Sequence, residues 1–238
     1  MALRIDILTL FCELFDAFRT TSIVGRAVQR GIVQVHVTCI RDFARDHYGS
    51  VDDAPFGGGP GMVLTCQPIF DAVEAVRAEA EPPGKVVLLS PQGRPLDQET
   101  VAALSREPRL VLIAGHYEGF DERIRDGLAD VEVSLGDFVM SGGEIAAMAL
   151  TDAVVRLLPG ALGKDESTHE ESFAAGLLEY PQYTRPREYR GMKVPEVLLN
   201  GDHARIAEWR ARQAEERTRL RRPDLWEKYT EARQGSQP

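Results

Sequence analysis

The sequence predicts an α/β fold, a mainly parallel sheet with helices on both faces, followed by a small helical C-terminal domain. Three observations carry that prediction. Short apolar runs at Leu3 to Leu8, Ile32 to Ile40, Lys85 to Leu89, Arg109 to Ala114 and Val131 to Leu135 alternate with stretches of helical periodicity, and strands separated by helices build parallel sheets. Glycine-bearing turns follow three of those runs, at Ser90-Pro-Gln-Gly93, Gly115-His-Tyr-Glu-Gly119 and Ser134-Leu-Gly-Asp-Phe-Val-Met-Ser-Gly-Gly-Glu144. Beyond Pro159-Gly160 the chain turns polar and then arginine-rich.

Taken in order, the first two runs are β-branched and alternating, and Thr21-Ser22 is placed to cap a helix through Arg30 between them, which makes a first β-α-β unit. A polar loop from Arg41 to Met62 precedes a helix over about Gln67 to Ala80, with Ile69, Val73 and Val76 on one face and Pro82-Pro83-Gly84 as its stop. Lys85 to Leu89 reads as a buried strand, Asp97 as the cap of a helix to Ser105, and Arg109 to Ala114 as a strand apolar enough to be covered on both faces. Asp121 to Leu128 makes a short helix, Val131 to Leu135 a strand, and Gly143 to Leu158 a long helix expected to bury Ile145, Met148, Ala149, Ala153 and Val154. The first domain is thus expected over residues 1–159. Residues 160–178 lack periodicity and read as a flexible linker. The last domain, residues 179–238, opens on a segment punctuated by Tyr180-Pro, Arg185-Pro and Val194-Pro. A helix follows from His203 to Arg222 with Ile206, Trp209, Gln213 and Leu220 near one stripe, and Gln234 to Pro238 is expected to be disordered.

A chain of 238 residues, 43% hydrophobic, can bury a sizeable core. It has no run near the roughly 18 to 20 apolar residues of a membrane helix, and Met-Ala-Leu-Arg-Ile-Asp at its start is too charged for a signal peptide, so a cytoplasmic location is expected. Cys12, Cys39 and Cys66 are an odd, widely spaced set without C-x-x-C, which suggests neither a disulfide framework nor a zinc site but small core residues. A net charge of −9 argues against coating of nucleic acid by bulk attraction. From Arg185 to Arg222, however, eleven basic residues face six acidic ones, a net of +5 that leaves the rest at −14. That segment is either an RNA surface or a solvated helix balanced by Glu208, Glu215 and Glu216.

Glycine turns beyond the carboxyl ends of strands let main-chain groups approach a ligand closely, so a pocket for a small, flat, polar cofactor is expected there. Each turn alone could be a plain turn or helix cap; three in order point to a pocket. The common nucleotide spacings are absent, since Gly57-Gly-Gly-Pro-Gly-Met62 lacks the last glycine of G-x-G-x-x-G and Gly163-Lys164 is followed by Asp165.

GGGPGM at 57–62, LLSPQG at 88–93, GHYEG at 115–119, SLGDFVMSGGE at 134–144 and GLLEYPQYTRP at 176–186, in this order, resemble the bacterial tRNA (guanine-37-N1)-methyltransferase family. The resemblance runs from the first strand to about Trp209. It implies a C-terminal deep trefoil knot in the α/β domain, with S-adenosyl-L-methionine as methyl donor held at Leu89, Ser90, Pro91, Gly93, Gly115, Tyr117, Gly119, Leu135, Gly136, Asp137, Phe138, Val139, Met140, Gly142 and Gly143, and Ser141 as a further contact. It also implies the tRNA anticodon loop as partner, a homodimer whose subunits build each active site together, and Asp52, Gly58 and Gly59 in an RNA-facing loop. Guanine N1 carries a proton at neutral pH and O6 gains charge as it leaves, so the reaction needs a base and a cation. The resemblance assigns the cation to Arg156, the base to Glu171 and recognition of the guanine edge to Glu118. At 171 the better-known members carry Asp; glutamate is one methylene longer with a similar intrinsic pKa, and His169 or Glu170 are alternative bases. The resemblance implies a divalent ion such as Mg2+, although no acidic or histidine cluster has ligand spacing. His116 and His36 are expected to be satisfied core histidines. Two other readings stay open. One is a related knotted methyltransferase acting on another RNA. The other is a non-enzymatic nucleotide- or RNA-binding module, against which Glu118, Arg156 and the acidic linker stand.

Overall fold

The computed structural model describes residues 2–162, 171–173 and 175–235, and the chain divides into two compact units, Met1–Lys164 and Asp165–Pro238. In the first unit β1 (Leu3–Thr9), the single-turn helix α1 (Phe15–Phe18), α2 (Ser22–Gln29) and β2 (Val33–Cys39) come first. They are followed by the short antiparallel pair β3 (Asp52–Asp53) and β4 (Val63–Leu64), then α3 (Cys66–Ala78), β5 (Lys85–Pro95) and α4 (Gln98–Leu104). Last come β6 (Arg109–Ala114), α5 (Glu122–Leu128), β7 (Val131–Ser134) and α6 (Glu144–Arg156). The main sheet runs β2-β1-β6-β5-β7, every pair parallel.

Every residue of β6 is buried. Side chains alternate across a strand, so Leu110, Leu112 and Ala114 enter one core with Val24, Val101, Leu104 and Leu150, while Val111 and Ile113 enter another with Ile69, Val73, Val76 and Ile124. Two cores, one on each face, explain why these strands read as unbroken apolar runs. At the start of β6 the buried Arg109 donates from Nε to Oδ2 of the buried Asp6 at 2.8 Å, and to the carbonyls of Val76 at 2.5 Å, Ala80, and Pro82 at 3.3 Å. Asp97 caps α4 as expected, accepting from the Thr100 amide at 2.8 Å. Thr21 occupies the cap position of α2, but its hydroxyl donates to the Ala17 carbonyl at 2.7 Å and ties α2 to α1 instead.

Three expectations need correction. Ser90 to Gly93 is not a turn after a strand but a bulge within β5: Leu89 and Arg94 both register with Val133 of β7. A Cβ on Gly93 would stand 2.4 Å from the Val133 amide nitrogen, so only glycine lets the bulge lie on β7. The loop expected from Arg41 to Met62 holds a 3-10 turn and β3. On α6, Val154 alone of the five expected residues is fully buried; Met148 and Ala153 are half-buried, Ala149 is exposed and Ile145 is 57% exposed. The buried face carries Ala147, Leu150, Thr151 and Val155 instead. The helix is apolar nearly all round, so periodicity could not choose a face.

The second unit holds the antiparallel pair β8 (Glu188–Tyr189) and β9 (Met192–Lys193), then α7 (His203–Arg221) and α8 (Pro223–Gly235). Asp202 caps α7, accepting from the Arg205 amide at 3.1 Å. Ile206, Trp209 and Gln213 are half-buried, but Leu220 is 68% exposed and lies off the stripe; the fully buried residue of α7 is Thr218, whose Oγ1 accepts from the Leu178 amide and donates to the Ala214 carbonyl. α8 was not expected, and Gln234 and Gly235 belong to it rather than to a disordered tail. Residues 236–238, and the linker expectation over 163–170 and at 174 with its His169 and Glu170, lie outside the described residues. Among the described residues no helix is long and apolar enough to cross a membrane.

Candidate functional site

The bulge of β5 and the carboxyl ends of β6 and β7 surround a cavity of about 210 Å³. Its walls are Leu89 to Gln92 from the bulge, Gly115 to Phe120, Ser134 and Leu135, and Phe138 to Gly143, with Val133, Ala146, Glu122 and Arg125 completing them. Fourteen of the residues singled out in the sequence meet there: Leu89, Ser90, Pro91, Gly115, Tyr117, Glu118, Gly119, Leu135, Phe138, Val139, Met140, Ser141, Gly142 and Gly143. Gly93, Gly136 and Asp137 do not line it. Gly93 lies against β7, and Gly136, at φ +153, closes a tight turn in which its amide donates to Ser134 Oγ at 3.2 Å and its carbonyl accepts from the Phe138 amide at 2.8 Å. Gln92, His116, Phe120, Glu122, Arg125, Val133, Ser134 and Ala146 were not among the expected site residues; Arg125 pairs with Glu132 at 2.9 Å, a contact without a local sequence signal.

The two loops on either side of β6 and α6 are joined by the Gly143 amide, which donates to the Gly115 carbonyl at 2.7 Å, and by a bridge between His116 and Gly142. Tyr117 takes φ 62, an uncommon value for a bulky side chain, and its hydroxyl accepts from Arg41 at 3.2 Å. The Glu118 amide donates to the Met62 carbonyl at 3.0 Å, and the Glu118 side chain lies so close to Gly61 that a Cβ there would meet it at 2.4 Å. The 57–62 segment is therefore held beside Glu118. Gly58 and Gly59 stand in open space within it, Phe56 is fully exposed, and Asp52 pairs with Leu64 across β3 and β4.

Arg156 is the last residue of the thirteen-residue α6 and does not line the cavity; at 1.5 Å per residue it stands about 20 Å along the helix from Gly143. Glu171 is half-buried in the second unit, where with Leu178, Tyr180 and Arg210 it lines a cavity of about 240 Å³. There the Arg210 guanidinium stacks 4.6 Å from the Tyr180 ring centre. His36, expected in the core, is exposed, because alternation along the edge strand β2 turns it outward. His116, expected to be satisfied, is half-buried with Nδ1 enclosed and without a hydrogen-bond partner. The three cysteines are partly buried rather than in the core, and burial together with the Cys39 thiol pushes Cys12 up to about 12. The Arg123 guanidinium holds Asp121, the cap of α5, well below the usual carboxylate range. Among the described residues no three His, Cys, Asp or Glu side chains gather to hold a metal ion.

Comparison with known proteins matches residues 3–228 to the family model described as tRNA (Guanine-1)-methyltransferase TrmD. A tRNA (guanine-N(1)-)-methyltransferase of Brevibacillus brevis is 54% identical over 226 residues, covering 95% of this chain and 92% of that protein. A protein of the same name from Geobacillus kaustophilus is 53% identical over 227 residues, 95% of this chain and 93% of its own. One from Moorella thermoacetica is 54% identical over 226 residues, 94% and 90% of the two chains.

Proposed function

The chain belongs to the tRNA (guanine-N1)-methyltransferase family, and from that premise we propose how its residues carry the reaction. It is an enzyme that methylates N1 of guanine in tRNA. The target we assign is guanine 37, next to the anticodon, and the donor is S-adenosyl-L-methionine bound in the cavity beyond β5, β6 and β7. The convergence of three glycine-bearing segments on that one cavity carries the assignment. Leu89, Leu135, Met140 and Ala146 offer apolar walls for a flat purine, while the glycines at 115, 119, 142 and 143 let a ligand come close to the main chain. When bound, the donor supplies an electrophilic methyl group on a sulfonium.

The remaining chemistry belongs to side chains. The Glu118 carboxylate accepts from the 2-amino group of the guanine edge and fixes the base beside the cavity. Glu171 takes the proton from N1 as N1 gains the methyl group and the methyl–sulfur bond breaks, leaving a neutral methylated base, a protonated glutamate and an uncharged thioether. Arg156 stabilises the charge that builds on O6. The position of Arg156, about 20 Å along α6 from Gly143, supports a homodimer in which Arg156 and Glu171 of one subunit serve the cavity of the other. The exposed apolar side chains of Phe138, Val139 and Ile145 suit such an interface. The tie between the Gly115 and Gly143 loops suits the trefoil knot of the family, and the exposed Arg205, Arg212, Arg219 and Arg221 of α7 suit contact with tRNA phosphates. No step is assigned to Mg2+, for which the described residues gather no ligand set.

The test is a single-turnover reaction with labelled S-adenosyl-L-methionine and an unmodified tRNA transcript carrying guanines at 36 and 37, the product mapped by mass spectrometry. Methylation at N1 of guanine 37 is the expected result; donor binding with the methyl group on another nucleotide, or on none, would overturn the assignment of target.

A further inference from the structure

Glu144, the first residue of α6, is 4% exposed. A buried carboxylate is costly unless hydrogen-bonded, and here Thr9 Oγ1 donates to Oε1 at 2.8 Å, while the helix N-terminus favours negative charge. The other oxygen, Oε2, crowds the space beside Gly142: a Cβ on Gly142 would stand 2.3 Å from it and 2.5 Å from His116 Nδ1. Glycine at 142 is what lets these two atoms approach one another. Nδ1 is enclosed and has no hydrogen-bond partner, an expensive state for a buried polar atom, and with its proton on Nδ1 the imidazole has an acceptor beside it after a small turn of the carboxylate. The same Thr9 oxygen accepts from the Phe11 amide at 3.0 Å, and the Phe11 ring meets the His116 ring edge-on at 5.1 Å. Thr9, Glu144, His116 and Phe11 are thus neighbours where His116 meets the cavity, and Tyr117, edge-on to His116 at 5.1 Å, and Glu118 follow directly in the chain.

We infer that Thr9, Glu144 and His116 form a buried polar relay that sets the 115–119 loop against the 134–143 loop, which makes His116 a positioning residue for donor binding and for Glu118. The inference rests on the reading of this cavity as the donor site. Asparagine can place an N–H close to the position of Nδ1, whereas glutamine reaches toward that of Nε2 and alanine offers neither, so His116→Asn, His116→Gln and His116→Ala separate a hydrogen bond at Nδ1 from simple filling of space. Calorimetry with S-adenosyl-L-methionine should find His116→Asn within about threefold of the unaltered protein. His116→Gln and His116→Ala should bind about tenfold to a hundredfold more weakly, the size expected for a lost hydrogen bond to a carboxylate, and single-turnover methylation at saturating donor should fall in the same order. Equal affinity across the three variants, or His116→Gln binding better than His116→Asn, would overturn the relay. Failure of the unaltered protein to bind the donor would instead overturn the reading of the cavity.

Discussion

Replacing Arg109 by methionine should destabilise the first unit while sparing the site. Arg109 is 1% exposed and its partner Asp6 not at all. Breaking a buried ion pair from one side costs about 3 to 5 kcal/mol. Asp6 keeps Arg4, which donates to it at 2.7 and 3.0 Å, and this places the loss toward the lower end of that range. The carbonyls of Val76, Ala80 and Pro82 lose their donor as well, so a net loss of about 3 kcal/mol is expected, or about 10 °C in melting temperature for a chain of this size. Melting followed by circular dichroism should show the loss, and amide exchange in β6 should accelerate. Donor affinity well below the transition should be unchanged, because Arg109 opens β6 and the cavity lies past its other end at Gly115. A loss below about 1 kcal/mol would refute the view that this ion pair and its carbonyl contacts clamp α3 to the sheet.

Glu171→Ala should leave donor binding nearly intact and lower single-turnover methylation by about 10² to 10⁴; unchanged turnover would remove Glu171 from the mechanism. Arg156→Ala should cost about 10² to 10³ in rate, and mixing it with Glu118→Ala should restore part of the activity through mixed dimers. An inactive mixture that nonetheless exchanges subunits would place both residues in one subunit's site. Gly93→Ala drives a Cβ into the Val133 backbone and should cost about 1 to 3 kcal/mol together with donor affinity; wild-type melting and binding would contradict the bulge. Because Cys12 is pushed up to about 12 by burial and the Cys39 thiol, the folded state holds that proton more tightly than the unfolded chain. Stability should therefore fall as pH rises from the ordinary thiol range toward 12, and a urea midpoint that stays flat there would count against this.

The strands were legible where burial on both faces writes itself into composition, as in Arg109 to Ala114, and Asp97 was legible because a cap is a local device. Pro91 and Gly93 carry the signature of a turn, yet pairing with β7 draws them into a strand with a bulge, an effect set by residues some forty positions on. The last helix was expected to end at Arg222, and proline, at home in the first turn of a helix, begins α8 at Pro223. The family motifs located the cavity loops. They could not show that Gly93 serves packing, that α6 carries Arg156 away from the cavity, or that Glu144 and His116 both crowd Gly142, since that depends on how the chain brings His116 and Glu144 together.

Four residues of the cavity wall are glycines: Gly115, Gly119, Gly142 and Gly143. A side-chain pocket can be remodelled by single substitutions, each trading one shape for another. Here substitution at several wall positions can only add bulk, and at Gly142 and Gly143 the added atom meets Glu144, His116 or the backbone of Ala114 and Gly115. On the proposed reading of this cavity as the donor site, an inhibitor that satisfied the main-chain groups of these loops would therefore leave the enzyme few point mutations by which to escape it without also excluding its own methyl donor.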